Sequence, residues 1–438
     1  MARRPLSDNW KRTLCRFGFL LFCLFPTFVT GYWIFHPQTP SHWEQLIQAE
    51  LGLPTEIDSI ETPGPYVTIL RGVKFYDAKG TLFESAQIRV VRNGRNEIVV
   101  DHNVQFSNDA LLRMATQVSD HLVRGDVIQK QWLIRFSGQA NIYNGDQDSL
   151  VASLATRDLK ILMTRYLDGP AAEISFRRVD DPAGNLVTAD IHHGTNTGKT
   201  FLLRGSEVWL PCWLMADMVP DLKKLGSQCQ FNGLVEVRPS DQDPDVYVSQ
   251  IEGTFSKIDL AALVQDYDQT LSGTCTAGVS NYVIKNGKTV SLVVNAHCPN
   301  GTMGLDLLDS AQEHMGFLVA ENVSKLGNEN GVIGFRQMQL NFEIKDSRLY
   351  TWGNEQGIVA YDIYNRPLTG WNTSSPDDRP HPQEFENLAR FLIRPSSNTQ
   401  LVNQELLEVL DWFERPTSPL VPGPPIRLAT EPSESDLK

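Results

Sequence analysis

The sequence predicts a mostly β-stranded body with minor α, behind an N-terminal transmembrane helix. Three observations predict it. Phe17 to Phe35 contain no charged side chain and follow a basic stub. Apolar and polar residues alternate with period two through much of the remaining chain, the mark of strands with one buried and one wet face. Stretches of helical periodicity are few and short.

The N-terminal element comes first. Arg3, Arg4, Lys11, Arg12 and Arg16 against Asp8 give residues 1–16 a charge of +4. The 19 uncharged residues 17–35 then match the roughly 20 apolar residues that a hydrocarbon core of about 30 Å requires. Tyr32 and Trp33 stand where an aromatic belt belongs. Basic residues ahead of the span keep the stub in the cytoplasm and export the rest, to the periplasm or another non-cytoplasmic space. Pro26 would kink such a helix without preventing a span. A cleaved signal peptide, cut near Val29-Thr30-Gly31, is the competing reading.

Residues 36–64 read as a juxtamembrane segment with a short helix over Trp43–Leu51. Strands 66–76 and 82–91 flank a turn at Lys79-Gly80. Trp132, Ile134 and Phe136 alternate with Leu133 and Arg135, and Ile174 and Phe176 alternate with Glu173, Ser175 and Arg177. Over 337–345, Met338, Leu340, Phe342 and Ile344 face one way, and Gln337, Gln339, Asn341, Glu343 and Lys345 the other. Leu111, Met114, Ala115, Val118 and Leu122 mark one face of a helix that starts after Ser107 or Asn108 and closes at Gly125. Further helices are expected at 211–225, 258–268, 305–315, 383–393 and 400–413. From Pro416 onward six prolines fall in 23 residues, and this tail is expected to be disordered. Strand, short helix and strand recur from Gly205, Gly253 and Gly301, an irregular internal repetition.

The bulk properties are globular: 438 residues, 41% hydrophobic, 21% charged, net charge −13. Beyond residue 16 the charge is −17, so nucleic acid is not an expected partner.

Cys15 and Cys23 belong to the N-terminal segment, and Cys212, Cys229, Cys275 and Cys298 to the body. Four cysteines allow three disulfide connectivities, with four buried thiols as the alternative. Asn286-Gly287 is a two-residue hairpin signal. It sets Lys285 opposite Lys288 and, carried along the strands, Cys275 opposite Cys298. Facing Cα atoms lie about 4.5–5.5 Å apart, and this register puts the two at the wider, hydrogen-bonded spacing. Cys275–Cys298 is therefore the expected bridge, and Cys212–Cys229 follows by elimination.

Chemistry is hard to find. Gly194-Thr-Asn-Thr-Gly198-Lys199-Thr200 has three residues between its glycines where a phosphate loop needs four, and a strand pattern comes after it, so a hairpin turn is expected. Asp190 and His192 share a strand face, but His193 points away and no second ligand cluster accompanies them. The nucleophile elbow and the HExxH motif are absent. Asn300, Asn322 and Asn372 stand in N-x-S/T sequons, which mark surface loops only in a secreted eukaryotic chain. No catalytic, cofactor or metal site is expected.

Leu51-Gly-Leu-Pro54 through Gly80-Thr-Leu-Phe83, Gly253 through Gly273, and Phe335 through Leu349 together resemble the AsmA-like proteins of bacterial envelopes. The likeness covers about a third of the chain and carries no invariant catalytic residue. It implies elongated antiparallel β-sheet units with short interspersed helices, an apolar inner groove, and a role in lipid movement and envelope homeostasis.

The expected organisation is a cytoplasmic stub (1–16), a transmembrane helix (17–35), an N-terminal β-rich domain (36–205), a C-terminal β-rich AsmA-like domain (206–380), a helical segment (381–415) and a Pro-rich tail (416–438). The expected function is non-enzymatic: a single-pass, membrane-anchored envelope protein that holds or moves lipid in an apolar groove. Its partners would be the membrane, lipid and an envelope protein. An envelope scaffold with a closed β core is the alternative, and an envelope-polymer hydrolase stands third.

Overall fold

The computed structural model describes residues 8–28, 31, 39–370 and 382–392, apart from 65, 94, 125–130, 145–152, 167–168, 195–197, 206, 217–218, 241–242, 244–245, 268, 286–287, 322, 329 and 346–347. The expected helix 400–413 and the Pro-rich tail lie outside the described residues. The fold is mostly β, and the chain divides into two compact units, Met1–Lys257 and Ile258–Lys438.

The first unit opens with helix α1 (Asp8–Phe19), continued by five π-helical residues, Leu20–Leu24, and four α-helical residues to 28. Among the described residues no helix is long and apolar enough to cross a membrane. Of the expected span 17–35, the described residues 17–28 and 31 are helical. The helical run takes in the charged residues 8–16, and 29–30 and 32–38 lie outside the described residues.

Helix α2 (Pro40–Leu51) begins on Pro40 in its first turn and ends on Gly52 in the left-handed region, φ 69°. A Cβ there would lie 2.4 Å from Cγ of His121. Trp43, Ile47 and Leu51, at helical spacing, form its buried face.

The strands of this unit are β1 (Thr55–Glu56), β2 (Ser59–Gly64), β3 (Val67–Asp77), β4 (Gly80–Asn93), β5 (Arg95–Val100), β6 (Val104–Ser107), β7 (Trp132–Phe136), β8 (Ala140–Tyr143), β9 (Ser153–Tyr166), β10 (Gly169–Arg178), β11 (Leu186–Gly194), β12 (Gly198–Arg204), β13 (Leu210–Pro211), β14 (Gln230–Pro239) and β15 (Tyr247–Asp259). Helix α3 (Asn108–Arg124) sits between β6 and β7. The ladder runs β2–β3–β4–β5–β7–β9–β10–β11–β12–β14–β15.

The expected antiparallel pairing holds except at β5–β7 and β6–β8, which are parallel. The reason is α3, which carries the chain across the sheet so that the returning strands run the same way. Beneath it Phe83, Phe106 and Phe136 pack edge to face, with centroids 5.8–6.2 Å apart. Strands β12 and β14 pair at Phe201–Arg204, so the ladder continues across residue 205.

The helix expected at 211–225 is two 3-10 segments, Cys212–Met215 and Pro220–Leu225. Proline drives the residue before it out of the helical region, and Val219 stands at φ −129°, ψ 86°. The Cys212–Cys229 disulfide closes this excursion, and its Cα atoms are 5.4 Å apart.

The second unit begins with helix α4 (Leu260–Val264), capped by Asp259, whose carboxylate accepts a hydrogen bond from the Ala261 amide at 2.9 Å. Strands β16 (Leu271–Lys285), β17 (Lys288–Cys298), β18 (Gly301–Gly304), β19 (Leu318–Val319), β20 (Val332–Lys345), β21 (Arg348–Trp352), β22 (Ile358–Asp362), β23 (Pro367–Gly370) and β24 (Pro382–Gln383) come next. They are interleaved with helices α5 (Leu305–Met315), α6 (Val323–Leu326) and α7 (Phe385–Leu392). Strand β16 pairs with β17 and β18, and both pair with β20. Helices α5 and α7 pack together, and Ala311, Met315 and Phe385 join Ile344, Leu349 and Val359 in the core.

The hairpin register is as the sequence implies. Lys285 faces Lys288, and Thr276 faces His297. The turn residues Asn286-Gly287 themselves lie outside the described residues. Cys275 and Cys298 form a disulfide with Cα atoms 4.3 Å apart. That is the narrow spacing, not the wider one expected. Register irregularities on both sides of Val283 lie between turn and bridge, where they can offset the alternation of wide and narrow pairs.

On β20, Ile344 is buried and Met338, Leu340 and Phe342 pack partly buried against the core, the face expected of them. Asn341, expected in water, is 3% exposed. The loop after β21 folds over it, and its Nδ2 donates to the Gly353 carbonyl at 2.7 Å.

The expected repetition is visible as strand, short helix, strand, with β19 and α6 inserted in the third copy. Its glycines permit close approach: Gly233 faces Gly253, where a Cβ would lie 2.2 Å from the Asn232 carbonyl oxygen.

Candidate functional site

The site is built on the hairpin that the glycine-rich stretch 194–200 closes. Strands β11 and β12 pair antiparallel, with Gly194 opposite Gly198 and His193 opposite Lys199. Residues 195–197 lie outside the described residues, but this pairing is the hairpin expected there. One row further along, Ile191, Phe201 and Val237 form a continuous apolar row across three strands. Because side chains alternate, the His193–Lys199 row and this apolar row share one face of the sheet.

Helix α3 lies over β9, β10 and β11. Ala110, Leu111, Met114, Ala115 and Val118 are its buried face. Leu112, Thr116 and Asp120 recur every four residues along its flank, each half-buried. At Leu112 and Thr116 that flank stands off β12 and β14. Between them is an open cavity of 250 Å³, lined by Leu112, Thr116, Ile191, Lys199, Phe201, Val237 and Tyr247.

One end of this cleft is ionic. Lys199 Nζ donates to Asp120 Oδ1 at 3.2 Å, and His193 Nε2 lies 3.2 Å from the same oxygen. The imidazole contact is close but not at hydrogen-bonding angles, and it becomes an ion pair only when His193 is protonated. Burial pushes the His193 pKa down, and Lys199 and His192 add to this, while Asp120 opposes it.

A histidine depressed in the folded state binds its proton later than the unfolded chain does. As pH falls below the ordinary value of 6.5, the unfolded state takes up the proton first, and stability is lost. We expect the denaturant midpoint of the first unit to drop between about pH 7.5 and about pH 5.5, and His193→Gln to shrink that drop. An unchanged pH dependence in the variant would exclude His193 as its source.

Asp190 and His192 point to the opposite face from His193. Asp190 is 3.8 Å from Arg204, and burial pushes its carboxyl pKa up. Among the described residues no group of three or more His, Cys, Asp or Glu side chains could hold a metal ion. The four body cysteines are all bridged, and Cys15 and Cys23 are free and exposed.

The Asp120–His193–Lys199 set was not foreseen from the sequence. The facing of His193 and Lys199 was available from the hairpin alone. Asp120 was not, because it arrives on α3 from 79 residues before Lys199.

No family model, no curated protein and no solved structure matches this chain.

Proposed function

We propose that this chain is a non-enzymatic, membrane-tethered protein of the cell envelope that holds an acyl chain in the apolar cleft of its first unit. The cleft carries the reading: an open 250 Å³ cavity on a sheet face that the unit's own helix leaves uncovered. A concave apolar lining with a few polar groups at one end is the usual form of a small-molecule site. The size, just below the usual range of about 300–1,000 Å³ for ligand pockets, suits one chain.

Two further observations support the tether and the compartment. Phe17, Leu20, Leu21, Leu24, Phe25 and Phe28 recur at helical spacing, all exposed, directly after the basic residues. Such a stripe is stable only when apolar surroundings cover it, and the bilayer supplies them. Two buried disulfides in the body fit an oxidising, non-cytoplasmic space. The AsmA-like resemblance points the same way.

The test is lipid analysis of the full-length chain extracted from its membrane. Wild type should carry bound acyl chains. Phe201→Asp, which puts a charge on the cleft floor, should lose about nine-tenths of them, since a carboxylate in an apolar site costs well over 1.4 kcal/mol. Far-ultraviolet circular dichroism would show the variant folded. A wild-type chain carrying no more lipid than this variant would refute the proposal.

A scaffold role has one observation in its favour. The turn after β22 presents Ile363 and Tyr364, 57% and 68% exposed, at the surface of the second unit. A photoreactive residue replacing Tyr364 would capture an envelope protein partner if that role holds.

A further inference from the structure

We infer that the cleft of the first unit takes a single-chain amphiphile with a carboxylate headgroup, its chain along Leu112 and Phe201 and its head at Lys199, with His193 behind it. The inference rests on the acyl-chain reading above and names the ligand class within it.

The polarity of the cleft carries it. Leu112, Thr116 and Asp120 take the flank of α3 from apolar to charged over about 12 Å of helix. The sheet beneath changes in step, from Ile191, Phe201 and Val237 to His193 and Lys199. Apolar wall at one end and charge at the other is the shape of an amphiphile. The 250 Å³ volume limits it to one chain.

The ionic end selects the sign of the head. Two nitrogen groups, Lys199 Nζ and His193 Nε2, converge on one oxygen of one carboxylate, each at 3.2 Å. With His193 neutral, the trio is balanced. With His193 protonated, it carries one positive charge in excess. A second carboxylate, from the ligand, completes two cations against two anions. Lys199 has two further ammonium hydrogens to donate beyond its bond to Asp120, and a protonated His193 beside it adds positive charge.

The charged and titratable groups facing His193 are Asp120 from α3 and Lys199 from β12, and His192, its neighbour on the strand, acts on it through charge alone. A carboxylate ligand favours the imidazolium. Binding and protonation then support each other, and affinity rises as pH falls.

The experiment uses the full-length chain in nanodiscs with two photoreactive probes: a diazirine-bearing dodecanoic acid and the matching dodecanol. Cross-linked peptides are mapped by mass spectrometry. In the wild-type chain the acid should label the β11–β12 peptides about tenfold better than the alcohol, the worth of one charge-assisted hydrogen bond. Lys199→Gln should bring acid labelling down to the level of the alcohol, with alcohol labelling retained. His193→Gln should remove the gain in acid labelling between about pH 7.5 and about pH 5.5.

Equal labelling by acid and alcohol in the wild-type chain would overturn the headgroup assignment and leave the acyl-chain reading standing. Absence of labelling at the cleft by either probe would overturn both. The wild-type acid-to-alcohol ratio decides the matter whether or not a variant folds.

Discussion

Replacing Cys275 and Cys298 together by alanine lowers the stability of the second unit by about 3 kcal/mol, the chain-entropy cost of opening a loop of this length. The bridge joins positions 23 residues apart, and both sulfurs are buried, at 3% and 1% exposure. It stands at the centre of the sheet, since Cys298 also faces Met338 on β20. Its loss falls on a hairpin whose register is already irregular between Ser280 and Ile284, so a slipped pairing becomes accessible. Equilibrium denaturation of the full chain should show an earlier transition for the variant. Adding reductant should move the second unit's transition in the wild type toward that of the variant, while the Cys212–Cys229 bridge, which reductant also opens, belongs to the first unit. Coincident wild-type and variant transitions without reductant would show that the bridge contributes nothing. Thiol alkylation gives an independent check: Cys15 and Cys23 should react before reduction, and the other four only after it.

That bridge was readable because every step to it is local. A two-residue turn sets the register, the register sets the facing pairs, and a facing pair of cysteines lies within bonding reach. Helix α5 was equally readable, from its own periodicity between two glycines, Gly304 and Gly316. The excursion at 211–225 was not. Its residues have helical periodicity, yet Pro220 and the tie from Cys212 to Cys229 break the helix into 3-10 turns. Asn341 was misplaced because alternation says which face a residue takes and not what covers that face. The cleft was illegible for the same reason. Ile191, Phe201 and Val237 announce an apolar row, but whether α3 covers it depends on a helix placed from outside the sheet.

Helix α2 braces the helix that walls the cleft, and Trp43→Ala tests the joint. Trp43 is fully buried, with the Arg92 guanidinium 4.4 Å over its ring, and Ile47 and Leu51 continue the same packed face. Truncating a buried tryptophan costs about 3–5 kcal/mol, so α2 should detach while the sheet stays folded. What would remain is Ile47 and Leu51 with two polar bonds, Glu44 accepting from the Ile57 amide at 2.9 Å and Glu50 from Trp132 Nε1 at 2.7 Å. On its other side α2 holds α3, for Gln117 Nε2 donates to the Gly52 carbonyl and His121 Nε2 meets the Ala49 carbonyl, both at 2.8 Å. Those contacts lie within one turn of Asp120, on the helix that walls the cleft. Loosening α2 should therefore raise amide exchange in the second half of α3 as well as in α2, and reduce acyl-chain retention. Protease should cut the variant between residues 39 and 58, which the wild type resists. Faster exchange confined to α2, with bound lipid unchanged, would show that α2 has no mechanical hold on the cleft.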